Sequence, residues 1–237
     1  MNIEELAYHQ TPLGELILRR RTETLLQNRE VFEVKLGDEY LMSSLFTEGE
    51  KELANLGLAG LEGALDVVVG GLGLGYTAAA ALENSNLRSL LVIDLFQEVI
   101  DWHRSRLVPI GRILSEDKRC ELRQGNFFDL ARTGLDSSDR GRKFDAVLLD
   151  IDHSPQHFLD RKNEAFYGAE GLSALRTQIK TGGVFALWSN DPLDENFTKH
   201  LDTQFGQATA RNVEFANPYT NSVAVNAVYV AHNVKPE

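Results

Sequence analysis

The chain has 237 residues, 43% of them hydrophobic, a single cysteine and a formal net charge of −11 at neutral pH. That suffices for one full-sized core with a small appendage, excludes a disulfide framework, and argues against nucleic acid as a main partner while suiting a cationic small substrate. With no basic-plus-apolar leader and no unbroken apolar run long enough to span a bilayer, a cytoplasmic protein without membrane association is expected.

Residues 11–45 alternate: Leu16 and Leu18 oppose Glu15 and Arg19, and Phe32, Val34 and Leu36 oppose Glu33 and Lys35. A period of two indicates half-buried antiparallel strands, and Gly37-Asp38 supplies a hairpin turn. The run Arg19-Arg20-Arg21 is read as a solvated strand edge rather than a nucleic-acid patch. These features define a small N-terminal β-hairpin region, residues 1–46, ahead of a larger domain over 47–237. A helix is expected from Thr47, where Thr47-x-x-Glu50 has the form of a capping box, to Gly57.

The most informative segment is 65–77. An apolar run, Val67 to Val69, enters a glycine loop (Gly70, Gly71, Gly73, Gly75) that leads into the alanine-rich segment Ala78 to Leu82. A buried parallel strand favours β-branched residues, and backbone pressed against a ligand favours residues without Cβ. A second apolar run, Leu90 to Ile93, ends in Asp94. Strand, glycine loop, helix, strand and acid form a nucleotide-binding βαβ unit, the acid placed for ribose hydroxyls. The loop has neither the Gly-Lys-Ser/Thr of a P-loop nor the Gly-x-Gly-x-x-Gly of a dinucleotide site. A nucleoside without phosphates, such as S-adenosylmethionine or a derivative, is the expected ligand.

From Leu65 onward strands are predicted at 65–70, 89–94, 119–123, 144–150 and 183–188, and helices at 75–83, 97–106, 164–179 and 194–205. Strands at 208–215 and 223–231, with no helix between them, should close the sheet as an antiparallel hairpin. The fold class is therefore α/β, with the mostly parallel, Rossmann-like sheet and C-terminal hairpin of the class I methyltransferase-like fold. Cys120 lies in a predicted strand and is read as an ordinary buried thiol. The tail after His232 reads as loose.

Ligands of open parallel sheets lie across the carboxyl ends of the strands. After the second strand stand Asp94, Leu95 and Phe96, the last two suited to an adenine face. After the third comes Gln124-Gly125-Asn126-Phe127-Phe128, where the Asn126 amide oxygen is expected to accept from the adenine amino group and Phe127 to pack on the ring. After the fourth comes Asp150-Ile151-Asp152-His153-Ser154-Pro155. Its carboxylates can bind an ammonium and take the proton an amine must lose before attacking a sulfonium carbon, with His153 as an alternative base. A metal held by Asp150, Asp152, His153 and His157 is set aside, because four ligands on one loop lack the spacing of zinc sites, and no metal is expected. Asn190-Asp191-Pro192-Leu193 and Asn217-Pro218-Tyr219 are read as a helix start and a hairpin turn.

At these residues the chain resembles the spermidine synthase (polyamine aminopropyltransferase) family of the class I methyltransferase-like superfamily. Gln10 to Leu16 and Leu36-Gly37-Asp38 resemble its N-terminal hairpins. Gly70 to Gly75 stand at its glycine loop, Asp94 to Asp101 at its acid-led segment, and Gly125-Asn126 where it has Gly-Asp. Asp150 falls on the first acid of its Asp-x-x-Asp motif, and Ala165-Phe166-Tyr167 to Gly182-Gly183 resemble its next helix and Gly-Gly strand entry. The resemblance implies aminopropyl transfer from decarboxylated S-adenosylmethionine to a small-molecule amine, with the hairpin region as a homodimer contact. Three departures bear on the acceptor: Asp152 comes one residue early with His153 in the second acid's place, Phe46-Thr47-Glu48-Gly49-Glu50 replaces the Tyr-His segment that holds the polyamine tail, and the loop after Pro155 lacks Gly-Pro-Ala. The resemblance thus implies a donor pocket that is kept and an acceptor pocket that is rebuilt or lost. A methyltransferase using S-adenosylmethionine on another nucleophile, and a nucleoside-binding protein without turnover, are the alternatives on the same scaffold.

Overall fold

The apolar alternation at the start of the chain produces a four-stranded antiparallel sheet of β1 (Ile3–Thr11), β2 (Gly14–Glu23), β3 (Arg29–Leu36) and β4 (Glu39–Ser43), in that order. The structure, a computed structural model, describes residues 3–234. Leu16, Leu18, Val34 and Leu36 point to one face and join a core that also contains Leu72 and Leu74 of the glycine loop. Each such burial stabilises by about 1.5–3 kcal/mol, so the small sheet is fixed directly over the loop.

The arginine run corrects the sequence reading. It lies on β2, an interior strand of the sheet, and Arg21 is buried between Glu23 and Glu33. Arg21 also donates to the Tyr219 hydroxyl at 2.5 Å, and that hydroxyl donates to Glu23 at 2.8 Å. An ionic cluster thereby ties the N-terminal sheet to the turn of the C-terminal hairpin, and Phe46 packs against Phe215 and Tyr219 beside it.

Helix α1 (Glu48–Leu58) leads to the second sheet, built from β5 (Leu65–Gly70), β6 (Leu87–Asp94), β7 (Cys120–Gln124), β8 (Phe144–Leu149), β9 (Ile179–Ser189), β10 (Gly206–Asn217) and β11 (Ser222–Asn233). Its order is β10-β11-β9-β8-β5-β6-β7, with β11 antiparallel to both β9 and β10 and the other pairs parallel. Every residue of β5 is buried, as a central parallel strand requires. Helices α2 (Tyr76–Leu82), α3 (Gln97–Arg104), α4 (Gly111–Glu116), α5 (Phe127–Thr133), α6 (Glu164–Tyr167), α7 (Ala169–Arg176) and α8 (Glu195–Phe205) connect the strands.

The predicted helix over 164–179 is broken at Gly168, whose ψ of 172° is extended; β9 begins at the predicted end of that helix. Helices α4 and α5 occupy segments where the sequence pattern predicts none. The end of the chain from 235, part of the tail expected to be loose, lies outside the described residues. No described helix is long and apolar enough to cross a membrane.

Candidate active site

The order of the parallel strands sets β5 beside both β6 and β8, so their carboxyl ends open onto one crevice. A cavity partly open to solvent fills it. Its lining includes Gly71, Gly73, Asp94, Leu95, Asn126, Phe127, Asp150 and His153, with Leu13, Val34, Leu36, Leu41 and Met42 of the N-terminal sheet as its roof. Gly70 and Gly75 stand behind that surface. A Cβ on Gly70 would come within 2.6 Å of the Phe127 ring. Gly71 has φ +94°, and a Cβ there would collide with the Asp150 carbonyl. Only glycine lets the end of β5 come this close to the end of β8.

Asp94 is buried beneath the loop, its Oδ2 accepting from the Leu72 amide at 2.9 Å and its Oδ1 from the Phe96 amide at 2.8 Å. Burial pushes its carboxyl up, opposed by these bonds and one from the Gly73 amide. A carboxylate has about four acceptor positions, so with three amides bound about one remains for a ligand hydroxyl. The rest of the loop is equally committed: Gly71 N–H donates to Ile93 O (2.9 Å), Leu74 N–H to the Met42 thioether Sδ (3.0 Å), and Gly75 N–H to Leu72 O (2.7 Å). His103, buried under the loop with its pKa lowered by burial to about 4, contacts Gly73 O through Nε2 at 2.9 Å. A neutral imidazole with Nε2–H as donor fits this contact.

Asn126 requires a correction. Its Oδ1 caps α5, accepting from the Phe128 and Asp129 amides at 2.9 and 3.3 Å. The oxygen expected to read adenine is therefore occupied by the helix, and the Asn126 NH₂ is the end left for a ligand, as a donor to a ring nitrogen.

Asp150 follows β8, and its Oδ2 accepts from the Thr77 hydroxyl of α2 at 2.7 Å. Burial raises its pKa to about 6, with the Thr77 bond opposing the shift. Beside it in the same cavity is Glu50, on the first turns of α1. Burial first, and the Asp150 charge second, push Glu50 up to about 8. The expected capping box does not form. Thr47 makes no side-chain cap bond, and Glu48 rather than Glu50 turns back, accepting from the Thr47 amide at 2.9 Å. Glu50 is thereby free to face the cavity. Sequence reasoning misses it, because no spacing rule separates a capping acid from a cavity acid on a polar first turn. Trp188 of β9 lines the same wall, its buried indole N–H without a hydrogen-bond partner among the described residues.

Asp152, expected to be catalytic, does not line the cavity. It is 1% exposed, and its oxygens accept from the Leu159 amide (2.8 Å), Asn163 Nδ2 (2.9 Å) and the Tyr167 hydroxyl (2.9 Å). It holds the 151–163 loop in place and has no path to a substrate. His153 does reach the cavity, but its Nε2 contacts Glu39 Oε2 of β4 at 2.7 Å, closing the mouth between the loop and the N-terminal sheet. His157 pairs with Asp191 at 2.9 Å instead of joining Asp150. Cys120 is partly buried, and burial pushes its thiol up to about 12, far from a reactive thiolate.

The sheet order, closing hairpin and crevice are those of the class I methyltransferase-like fold. A spermidine synthase solved in complex with the transition state analogue AdoDATO superposes with a TM-score of 0.75 at 15% identity, covering 97% of this chain and 73% of that one. The spermidine synthase from Thermotoga maritima does so with a TM-score of 0.72 at 15% identity, covering 97% and 72%. In sequence, 127 residues, 54% of the chain, are 32% identical to a polyamine aminopropyltransferase of Nitrosomonas europaea. The match spans 35% of that relative's length. No family model matches the chain. The chain is spermidine synthase-like in fold along nearly its whole length and in sequence over about half of it.

Proposed function

We propose that the protein is a cytoplasmic, spermidine synthase-like transferase that moves the aminopropyl group of decarboxylated S-adenosylmethionine onto a small-molecule amine. The observation carrying this reading is the charge of the cavity. Its described lining holds the carboxyl groups of Glu50, Asp94, Asp150 and Asp160 and neither lysine nor arginine. The loop amides that would otherwise receive a carboxylate are engaged from Gly71 to Gly75, the weakest acceptor being the Met42 sulfur. A donor with a free carboxylate would meet a cluster of carboxyl groups with no lysine or arginine to pair with, whereas a sulfonium carrying an ammonium meets groups that gain by ionising beside it. The likeness to a polyamine aminopropyltransferase supports the same choice.

In this reading adenine lies between Leu95, Phe96 and Phe127 with Asn126 donating to its ring, Asp94 accepts from a ribose hydroxyl, and the sulfonium lies over the glycine loop. Asp150 takes the proton from the acceptor ammonium. The freed nitrogen forms a bond to the propyl carbon on sulfur, the carbon–sulfur bond breaks with its electron pair passing to sulfur, and methylthioadenosine leaves. A homodimer through the N-terminal sheet belongs to the same reading by family likeness, and sedimentation checks it. Calorimetry with decarboxylated S-adenosylmethionine, intact S-adenosylmethionine and methylthioadenosine tests the donor: the decarboxylated compound should bind more tightly than the intact one. The reverse preference would make the protein a methyltransferase, and binding of none would end both enzyme readings.

A further inference from the structure

We propose that Glu50 is the donor-selecting residue of the cavity, the carboxylate that receives the terminal ammonium of the aminopropyl arm. The inference rests on the donor assignment above and adds to it which group reads the feature that separates the decarboxylated donor from other adenosyl compounds.

The cavity acids have distinct commitments. Asp94 is bonded to backbone amides at the ribose end, and Asp160 accepts from the Lys162 amide at the start of a 3₁₀ turn. Asp150 is bonded to Thr77 and is the base for the acceptor. Glu50 is 8% exposed; its carboxylate accepts only from its own backbone amide, and among the described residues no side-chain cation bonds it. The groups facing it are Asp150 from the end of β8, Tyr76 from α2, and Glu48 and Lys51 from its own helix. Lys51 lies over the Tyr76 ring, 5.7 Å from its centre, and its charge has the smallest of the influences on Glu50. A buried carboxylate with no cation is costly unless it is protonated or a ligand neutralises it. The reaction brings two ammonium groups into the cavity, one on the acceptor and one at the end of the donor's propyl arm. Asp150 answers the first, and Glu50 is the remaining carboxylate for the second. Thr77 holds the two residues side by side, its hydroxyl 2.7 Å from the Asp150 carboxylate and 3.3 Å from the Glu50 main-chain carbonyl. Gly49 lets α1 lie against Trp188 and Asn226, where a Cβ would collide with the indole nitrogen.

Glu50→Gln keeps the shape and removes the charge. Binding of decarboxylated S-adenosylmethionine should weaken at least tenfold, while methylthioadenosine, which has no ammonium, should bind within twofold of the unaltered protein. Glu50→Ala should show the same selective loss, separating the charge from any misplacement of the glutamine amide. Proton release on binding the decarboxylated donor near pH 7, read from the buffer dependence of the binding enthalpy, should fall in Glu50→Gln. Equal losses for the two ligands, or no loss for either, would overturn the assignment of Glu50 while leaving the donor reading intact. Failure of the unaltered protein to bind methylthioadenosine would instead remove the donor reading itself.

Discussion

The two ends of the parallel sheet hold acids in opposite electrostatic circumstances. At the amino ends, Asp66 on β5 is bonded to Arg88 and Ser89 of β6, Arg142 reaches it at 3.3 Å, and Asp145 on β8 pairs with Lys180 of β9 at 2.8 Å. Arg88 foremost holds the Asp66 carboxyl well below the usual carboxylate range, against the effect of its burial. At the carboxyl ends, Glu50, Asp94 and Asp150 are all pushed upward by burial, with no lysine or arginine in the described lining of the cavity. Asp66 at one end and Glu50 and Asp94 at the other are all buried, so burial alone does not distinguish a structural acid from a functional one. What distinguishes them is whether the fold supplies the counter-charge or leaves it to a ligand.

The largest expected effect tests the unpaired end at Asp150, the carboxylate proposed as the base. Asp150→Asn keeps an oxygen for Thr77 but cannot take a proton, and should lower kcat by about 10²–10⁴-fold while changing donor affinity far less. Steady-state kinetics with a decarboxylated donor and an amine would show it; an unchanged kcat in a folded variant would remove Asp150 from the chemistry. Next in size is Asp94→Ala, which should weaken methylthioadenosine binding by about 1–3 kcal/mol, the range for hydrogen bonds to a charged group. Calorimetry reads this directly, and an affinity unchanged within twofold would mean that the ribose is held elsewhere.

The same contrast explains what the sequence could reveal. The glycine loop, the acid ending β6 and the acid following β8 are legible because each sits at a strand end, a position set by local pattern and chain order. The closing hairpin is legible because no helix separates its strands. Glu50 is not, because Thr47-x-x-Glu50 fits a helix cap and a cavity acid equally well; the choice depends on Glu48 taking the Thr47 amide and on β8 bringing Asp150 alongside. Asp152 misleads for the reciprocal reason. Its neighbour two positions earlier faces the crevice, but its own partners, Asn163 and Tyr167, come from 11 and 15 residues further on. For Asn126 the position is legible and the atom is not, since the helix it caps leaves too short a pattern to predict.

The paired end gives a smaller effect. Asp66→Asn leaves Arg88 and Arg142 short of an anion, but Arg88 is 56% exposed and water screens much of the loss. A cost of about 1–2 kcal/mol in urea denaturation is expected, with methylthioadenosine affinity unchanged within twofold. A loss of ligand affinity without a loss of stability would place Asp66 in the binding machinery and dissolve the distinction between the two ends.

The smallest effect is the most discriminating, because its sign reverses between the two ends. Asp66, with a lowered pKa, contributes stability at neutral pH that disappears as the pH falls below its unfolded value of about 4. Glu50 and Asp150, raised to about 8 and 6, bind more protons in the folded state than in the unfolded chain between about pH 4 and 8. Stability from this pair therefore falls as the pH rises through that window, since each carboxyl must ionise with no lysine or arginine beside it in the described lining. Glu50→Gln removes one of the two ionisations and should make the ligand-free protein more stable than the unaltered chain at pH 8.5, by about 1 kcal/mol, with little difference at pH 5. Urea midpoints at the two pH values measure it. A gain in stability joined to a loss of donor affinity is what an acid held unpaired for a ligand must show, whereas equal destabilisation at both pH values would make Glu50 a structural acid like Asp66.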